Sequence, residues 1–147
     1  MAEVYFFIKS ELNHNVIDIS GKNTAQGTPL VSWPQINESG NANQLWTLSP
    51  SNLPGWAFIK SKLNGFVIDI KDRNTARATP LVSWPQKASD NSSQLWAFHE
   101  GYIISKLNGL VIDISGISPA AGAPLHTWPR RTPYPHNQQW FIEFQKG

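Results

Sequence analysis

Three stretches of this chain are copies of one another, and no other feature constrains its fold so tightly. Residues 8–35 and 59–86 agree at 20 of 28 aligned positions, and residues 104–130 follow the same template more loosely. Asp18, Asp69 and Asp113 mark the register. Each is followed eleven residues later by a proline (Pro29, Pro80, Pro124) and fifteen residues later by a Trp-Pro pair (Trp33, Trp84, Trp128). A Gln-x-Trp sequence then closes each unit, at Gln44-Leu45-Trp46, Gln94-Leu95-Trp96 and Gln138-Gln139-Trp140. Six of the seven tryptophans are therefore repeat positions, and only Trp56 stands outside. A unit of this size cannot bury an apolar face alone, so the copies must pack on one another.

No segment has helical periodicity. Short runs of Val, Ile and aromatic residues alternate with clusters of Asn, Gly, Ser and Pro, which is the strand signal. The first unit predicts strands at 4–9, 16–19, 29–33 and 44–48, and the same four recur in units two and three. Twelve short strands in three units of four predict an all-β, single-domain β-trefoil over 1–147 with pseudo-threefold symmetry. The repeats fall at about 4–49, 56–98 and 100–144. Radial repetition of this kind leaves few exposed sheet edges. The aspartates are 51 and then 44 residues apart. Most of that difference lies in TLSPSNLPGWA, residues 47–57, whose prolines, glycine and serines predict an inter-repeat loop.

Composition removes several function classes. Apolar residues make up 40% of the 147, enough for one core, whereas charged residues make up only 15%. Twelve Lys and Arg against ten Asp and Glu leave +2, too little to draw the chain to nucleic acid or acidic lipid. The absence of cysteine excludes a disulfide framework, a thiolate nucleophile and Cys-based metal sites. No apolar run reaches the roughly eighteen residues of a membrane helix. The opening MAEVYFFIKS lacks the basic and long apolar regions of a signal peptide. The expectation is a soluble, cytoplasmic domain with no membrane insertion, no nucleic-acid partner, no metal and no cofactor.

The repeated residues divide into core and site. Trp46, Trp96 and Trp140 lie within apolar strands and are assigned to the core, as large aromatics usually are. The aspartates sit in Val-Ile-Asp-Ile strands, where side chains alternate between faces. With Ile17 and Ile19 inward, Asp18 faces the other way. Such a carboxylate can simply be solvated or cap a turn, but threefold recurrence with the same downstream tryptophan favours a binding role. Trp33, Trp84 and Trp128 precede proline, which ends regular pairing. Their rings are either open to a ligand or form a lid over the core. Asn43 and Asn137 precede the closing glutamines and offer an amide donor and acceptor, where unit two has Ser93. Gln44, Gln94 and Gln138 are candidates to hold the aspartates in place.

A carboxylate, an open indole and an amide suit a pyranose. The carboxylate and amide take its hydroxyls, and the indole takes its C–H face. Catalysis has no support. His14, His99, His126 and His136 share no repeat position, and no triad or metal-cluster spacing occurs. The recurring acids are single residues in separate units, whereas a glycosidase needs two carboxylates flanking one bond.

The threefold Gln-x-Trp closure, with Asp, Pro and Trp in register, resembles the ricin B-type lectins across nearly the whole chain. The cysteine-free, free-standing form is similar to small mushroom lectins. The resemblance implies galactose-type ligands, namely galactose, N-acetylgalactosamine, lactose or related glycans, and multivalent binding that a homodimer would extend. It implies a first site of Asp18, Gly21, Trp33 and Asn43 with Gln44 supporting, and a third of Asp113, Gly116, Trp128 and Asn137 with Gln138 supporting. In both, the glycine lets the turn backbone approach the sugar. The second unit keeps Asp69, Trp84 and Gln94 but has Asp72 at the glycine position and Ser93 at the Asn position. Crowding at that turn and loss of the amide predict a weak or silent site. Unit three differs more mildly, with Thr127 for Ser32 and Ser83 and a more cationic stretch at 130–136, which predicts a different specificity. The competing reading is a β-trefoil that binds protein, as protease inhibitors or cytokine-like ligands do. Such a protein has no use for three surface copies of Asp plus Trp.

Overall fold

The computed structural model describes residues 3–145. Among them are twelve strands in three runs of four. These are β1 (Phe6–Ser10), β2 (Val16–Ile19), β3 (Thr28–Trp33) and β4 (Trp46–Pro50), then β5 (Ala57–Ser61), β6 (Val67–Ile70), β7 (Leu81–Trp84) and β8 (Trp96–His99), and finally β9 (Tyr102–Ser105), β10 (Val111–Ile114), β11 (Ala123–Trp128) and β12 (Trp140–Phe144). Strands β12, β1, β4, β5, β8 and β9 pair in that order, all antiparallel, as the wall of a barrel. Three hairpins, β2–β3, β6–β7 and β10–β11, cap one end. The hairpins also join each other, through β3–β7, β11–β3 and a bridge between Pro80 and His126. The fold is the β-trefoil that the repeats predict.

Alternation along each strand fills the core in threefold layers. Ile8, Ile59 and Ile103 come from the barrel strands. Ile17, Ile68 and Ile112, with Ile19, Ile70 and Ile114, come from the hairpins, and Leu30, Leu81 and Leu125 oppose them. Trp46, Trp96 and Trp140 join this cluster, and each indole N–H donates to a hairpin carbonyl, of Ile17, Ile68 and Ile112, at 3.0 Å. A buried indole whose polar atom is satisfied stabilises without a desolvation cost.

Two sequence expectations need correction. Gln44 is not in a strand. Its backbone N–H bonds Asn41 O at 2.9 Å in a single 3-10 turn, Ala42–Gln44, so the strand starts only at Trp46. The loop expected at 47–57 shrinks to 51–56, because β4 and β5 pair over five residues from Trp46↔Ser61 to Pro50↔Ala57. Pro50 ends that strand rather than preventing it, and the insertion lengthens a hairpin that in β8–β9 turns over Glu100 and Gly101.

Candidate functional site

Strand register builds the site. In the first hairpin Asp18 lies opposite Val31, and Val16 opposite Trp33. Residues two apart share a face, so Asp18, Val31 and Trp33 stand together on the face away from the core. The aspartate is nonetheless only 4% exposed, as are Asp69 and, at 3%, Asp113, which removes the solvated-carboxylate alternative. A glutamine buries each one. Gln44 Nε2 donates to Asp18 Oδ2 at 2.9 Å and to Pro34 O at 3.0 Å, while its Oε1 accepts from Ile36 N at 2.8 Å. Gln94 repeats this set on Asp69, Pro85 and Lys87, and Gln138 on Asp113, Pro129 and Arg131. The glutamines therefore hold the aspartates from behind, as expected.

The first-repeat residues converge. Asp18, Gly21, Trp33 and Asn43 line one cavity of about 410 Å³, together with Val31 and Ile36. Gln44 occupies one carboxylate oxygen and leaves Oδ1 as a second acceptor. Burial pushes Asp18 up to about 6, against the lowering pull of the Gln44 and Asn43 amides and Lys22. Asn43 spends one of its two N–H donors on Ile19 O at 3.2 Å, so only part of the donor capacity expected of it faces the cavity. Its Oδ1 is buried with no hydrogen-bond partner. Trp33 is 42% exposed, so its ring is not a lid.

The third repeat assembles Asp113, Gly116, Trp128 and Asn137 around a cavity of about 280 Å³, but its polar atoms are already engaged. His126, cross-strand from Asp113, places Nε2 at 2.9 Å from Asp113 Oδ1. A carboxylate only accepts, so Nε2 carries the proton. The same imidazole stacks on Trp128, with centroids 5.5 Å apart and planes at 16°. Arg131 Nη2 donates to Asn137 Oδ1 at 2.9 Å.

In the second repeat, strand register puts Asp69 and Trp84 on one face and Gln94 bonds Asp69, yet Asp69 Oδ1 and Ser93 Oγ are both buried without partners. Burial raises the Asp69 carboxyl above its ordinary range, against the lowering effect of Gln94. The turn is not crowded by the chain. A Cβ on Gly21 would meet nothing within 4 Å, and Asp72 takes the same left-handed conformation, φ 56° against 65°. Glycine is favoured there for its positive φ.

Each tryptophan is floored by the preceding repeat in the ring, which no within-repeat pattern could reveal. A Cβ added to Gly122 of repeat three would lie 3.5 Å from the Trp33 ring, and one added to Gly27 of repeat one 3.6 Å from the Trp84 ring, so each of these indoles lies just beyond a glycine of its neighbour. The two glycine N–H groups donate at 2.7 Å to Ser32 O and Ser83 O, and Ala78 N does the same to Thr127 O. Arg77 of repeat two lies 5.2 Å over Trp128. A larger cavity, about 560 Å³ and bordered by Lys9, Gln35 and Glu143, holds no Asp–Trp pair. Size alone does not pick out the repeated chemistry.

With that geometry in view, comparison with known proteins is direct. Residues 4–140 match the family profile of the ricin-type β-trefoil lectin domain, and the chain belongs to that family. It is a non-catalytic carbohydrate-binding domain. The C-half of an earthworm R-type lectin, solved in complex with GalNAc, is 31% identical, with a TM-score of 0.77 over 96% of this chain and 98% of that one. A designed threefold-symmetric protein, ThreeFoil, shares the fold at 20% identity, with a TM-score of 0.82 over 94% and 96%. Mucoricin of Rhizopus delemar is 40% identical over 47 residues, so the chain matches about a third of that protein's length (32%) and the match covers 32% of this chain.

Proposed function

We propose that this chain is a multivalent lectin for galactose-type sugars, with its principal site in the first repeat and a second, different one in the third. The observation that carries the reading is the pair of unclaimed acceptors in repeat one. Asp18 has an oxygen to spare, and Asn43 Oδ1 is buried without a partner beside an exposed indole. Two neighbouring hydroxyls supply the missing donors, and an orphaned buried acceptor that gains a partner recovers about 1–3 kcal/mol. The pyranose C–H face lies on Trp33. The GalNAc bound by the earthworm relative supports the galactose type. The second repeat, where Ser93 replaces the site asparagine and Asp72 the turn glycine, is weak or silent.

A shallow site of this kind binds in the millimolar to high-micromolar range, about −4 to −6 kcal/mol, so useful avidity comes from several sites or from a homodimer. A reducing, cytoplasmic setting belongs to the same proposal and is supported by a sequence without cysteine. The test is calorimetric titration with lactose. Saturable heat that disappears in folded Asp18→Ala protein is expected. No heat, or heat indifferent to that substitution, overturns the assignment.

A further inference from the structure

We propose that the third-repeat site takes an acidic pyranose, a sugar bearing a carboxylate, in preference to a neutral one. This rests on the lectin reading above and deepens it.

The two sites share one backbone frame and differ at four matched positions, one of which runs the other way, since Lys22 lining the first cavity is Ile117 in the third. Val31, opposite Asp18, is replaced by His126, opposite Asp113. Ile36, whose N–H bonds the closing glutamine, is replaced by Arg131, whose N–H makes the same bond. From the preceding repeat, Ala121, next in sequence to the Gly122 that lines the first cavity, is replaced in register by Arg77, which lies over Trp128. Two aliphatic side chains and a methyl thus become two guanidinium groups and an imidazole, while one ammonium, Lys22, becomes an aliphatic side chain.

The hydrogen-bonding balance of the cavity shifts as a result. The first site has two spare acceptors, on Asp18 and Asn43, beside the Lys22 ammonium. In the third, both Asp113 oxygens are taken, by His126 and Gln138, and Asn137 Oδ1 is taken by Arg131. A neutral galactose would have to share these acceptors with donors already in place. What the third site has spare is donors. Arg131 Nε is buried with no partner, and a guanidinium carries more N–H groups than its one bond to Asn137 uses. Two guanidinium groups also face a single lining carboxylate, so positive charge is in excess around the cavity. A forked guanidinium and a planar carboxylate are matched partners. The stacked His126–Trp128 surface and the half-exposed Ile117 keep the apolar wall that a pyranose ring needs.

The experiment uses the full chain carrying Asp18→Asn, which silences the first site, titrated with galacturonate, its neutral methyl ester and galactose. Galacturonate should bind about tenfold more tightly than either neutral sugar and weaken several-fold in high salt. Arg131→Gln should abolish that preference, Arg77→Gln should reduce it, and Arg131→Lys should retain part of it. Near-UV circular dichroism confirms that each variant is folded, and Arg77, exposed and in another repeat, provides a variant outside the core. Equal affinity for acid and ester, or galacturonate binding indifferent to both arginines, overturns the proposal. Lactose titration of the unsubstituted protein separates the two readings. Lactose bound while galacturonate is refused strikes this inference alone, and refusal of both strikes the lectin assignment as well.

Discussion

The first and third sites are built on the same hairpin, with the same buried aspartate held by the same glutamine, and they offer a ligand opposite things. Around Asp18 the neighbours are Val31 and Ile36, so two acceptors lack donors and Trp33 stands open. Around Asp113 the neighbours are His126 and Arg131, and the acceptors are filled from within. What a repeat inherits is therefore a frame, and what it binds depends on the two or three side chains around the frame.

The largest effect should follow removal of the frame's charge. Asp18→Ala should cost lactose binding about a hundredfold, near 3 kcal/mol, because a charge-assisted bond contributes roughly 1.5–3 kcal/mol and the carboxylate makes more than one. Calorimetry reads this directly. Exchanging the neighbours comes next. His126→Val with Arg131→Ile should open the third site to galactose by about tenfold, and Val31→His with Ile36→Arg should close the first by a similar factor. If both exchanged proteins bind as the parent does, the neighbours do not set specificity.

Acidity should sharpen the same contrast. Asp18, pushed up to about 6 by burial, must be ionised to accept two hydroxyls. Lactose affinity at the first site should therefore fall about tenfold between pH 7 and pH 5, and a flat profile would contradict the role. The sign for folding is the reverse. A carboxyl raised from its ordinary 3.8 holds its proton more tightly in the folded state, so its contribution to stability is lost as pH rises from about 4 to 6. The smallest effect is expected at the silent repeat. Asp72→Gly should raise stability by about 0.5–1 kcal/mol by relieving a left-handed aspartate, read as a few degrees in Tm, with no sugar binding gained.

Much of this architecture was legible in the sequence because it was written three times. Spacing and alternation placed the strands, the core tryptophans and the aspartate–glutamine pairs. The neighbours were harder to see for physical reasons. Val31 and His126 face the aspartates only through cross-strand register, although both lie thirteen residues after their aspartate, a signal the repeat alignment contains. Ile36 and Arg131 are fixed by a backbone bond to a glutamine side chain, which composition does not display. Proline and glycine suggested a loop at 47–57 where pairing extends the strands, since tertiary contacts outweigh local turn propensity. The amide of Asn43 looked wholly available because the carbonyl that captures one of its N–H groups, of Ile19, is twenty-four residues away.

The flooring of each tryptophan by another repeat has a consequence for how such a protein can change over generations. Trp33 rests on Gly122, Trp84 on Gly27, and Trp128 beneath Arg77. No repeat owns a complete pocket, so an isolated unit, or an unclosed pair, would lack at least one wall of every site. Divergence is shared in the same way. A codon altered in the second copy can retune the third pocket while leaving its own untouched, so the three specificities drift as a linked ring rather than as three separate lineages.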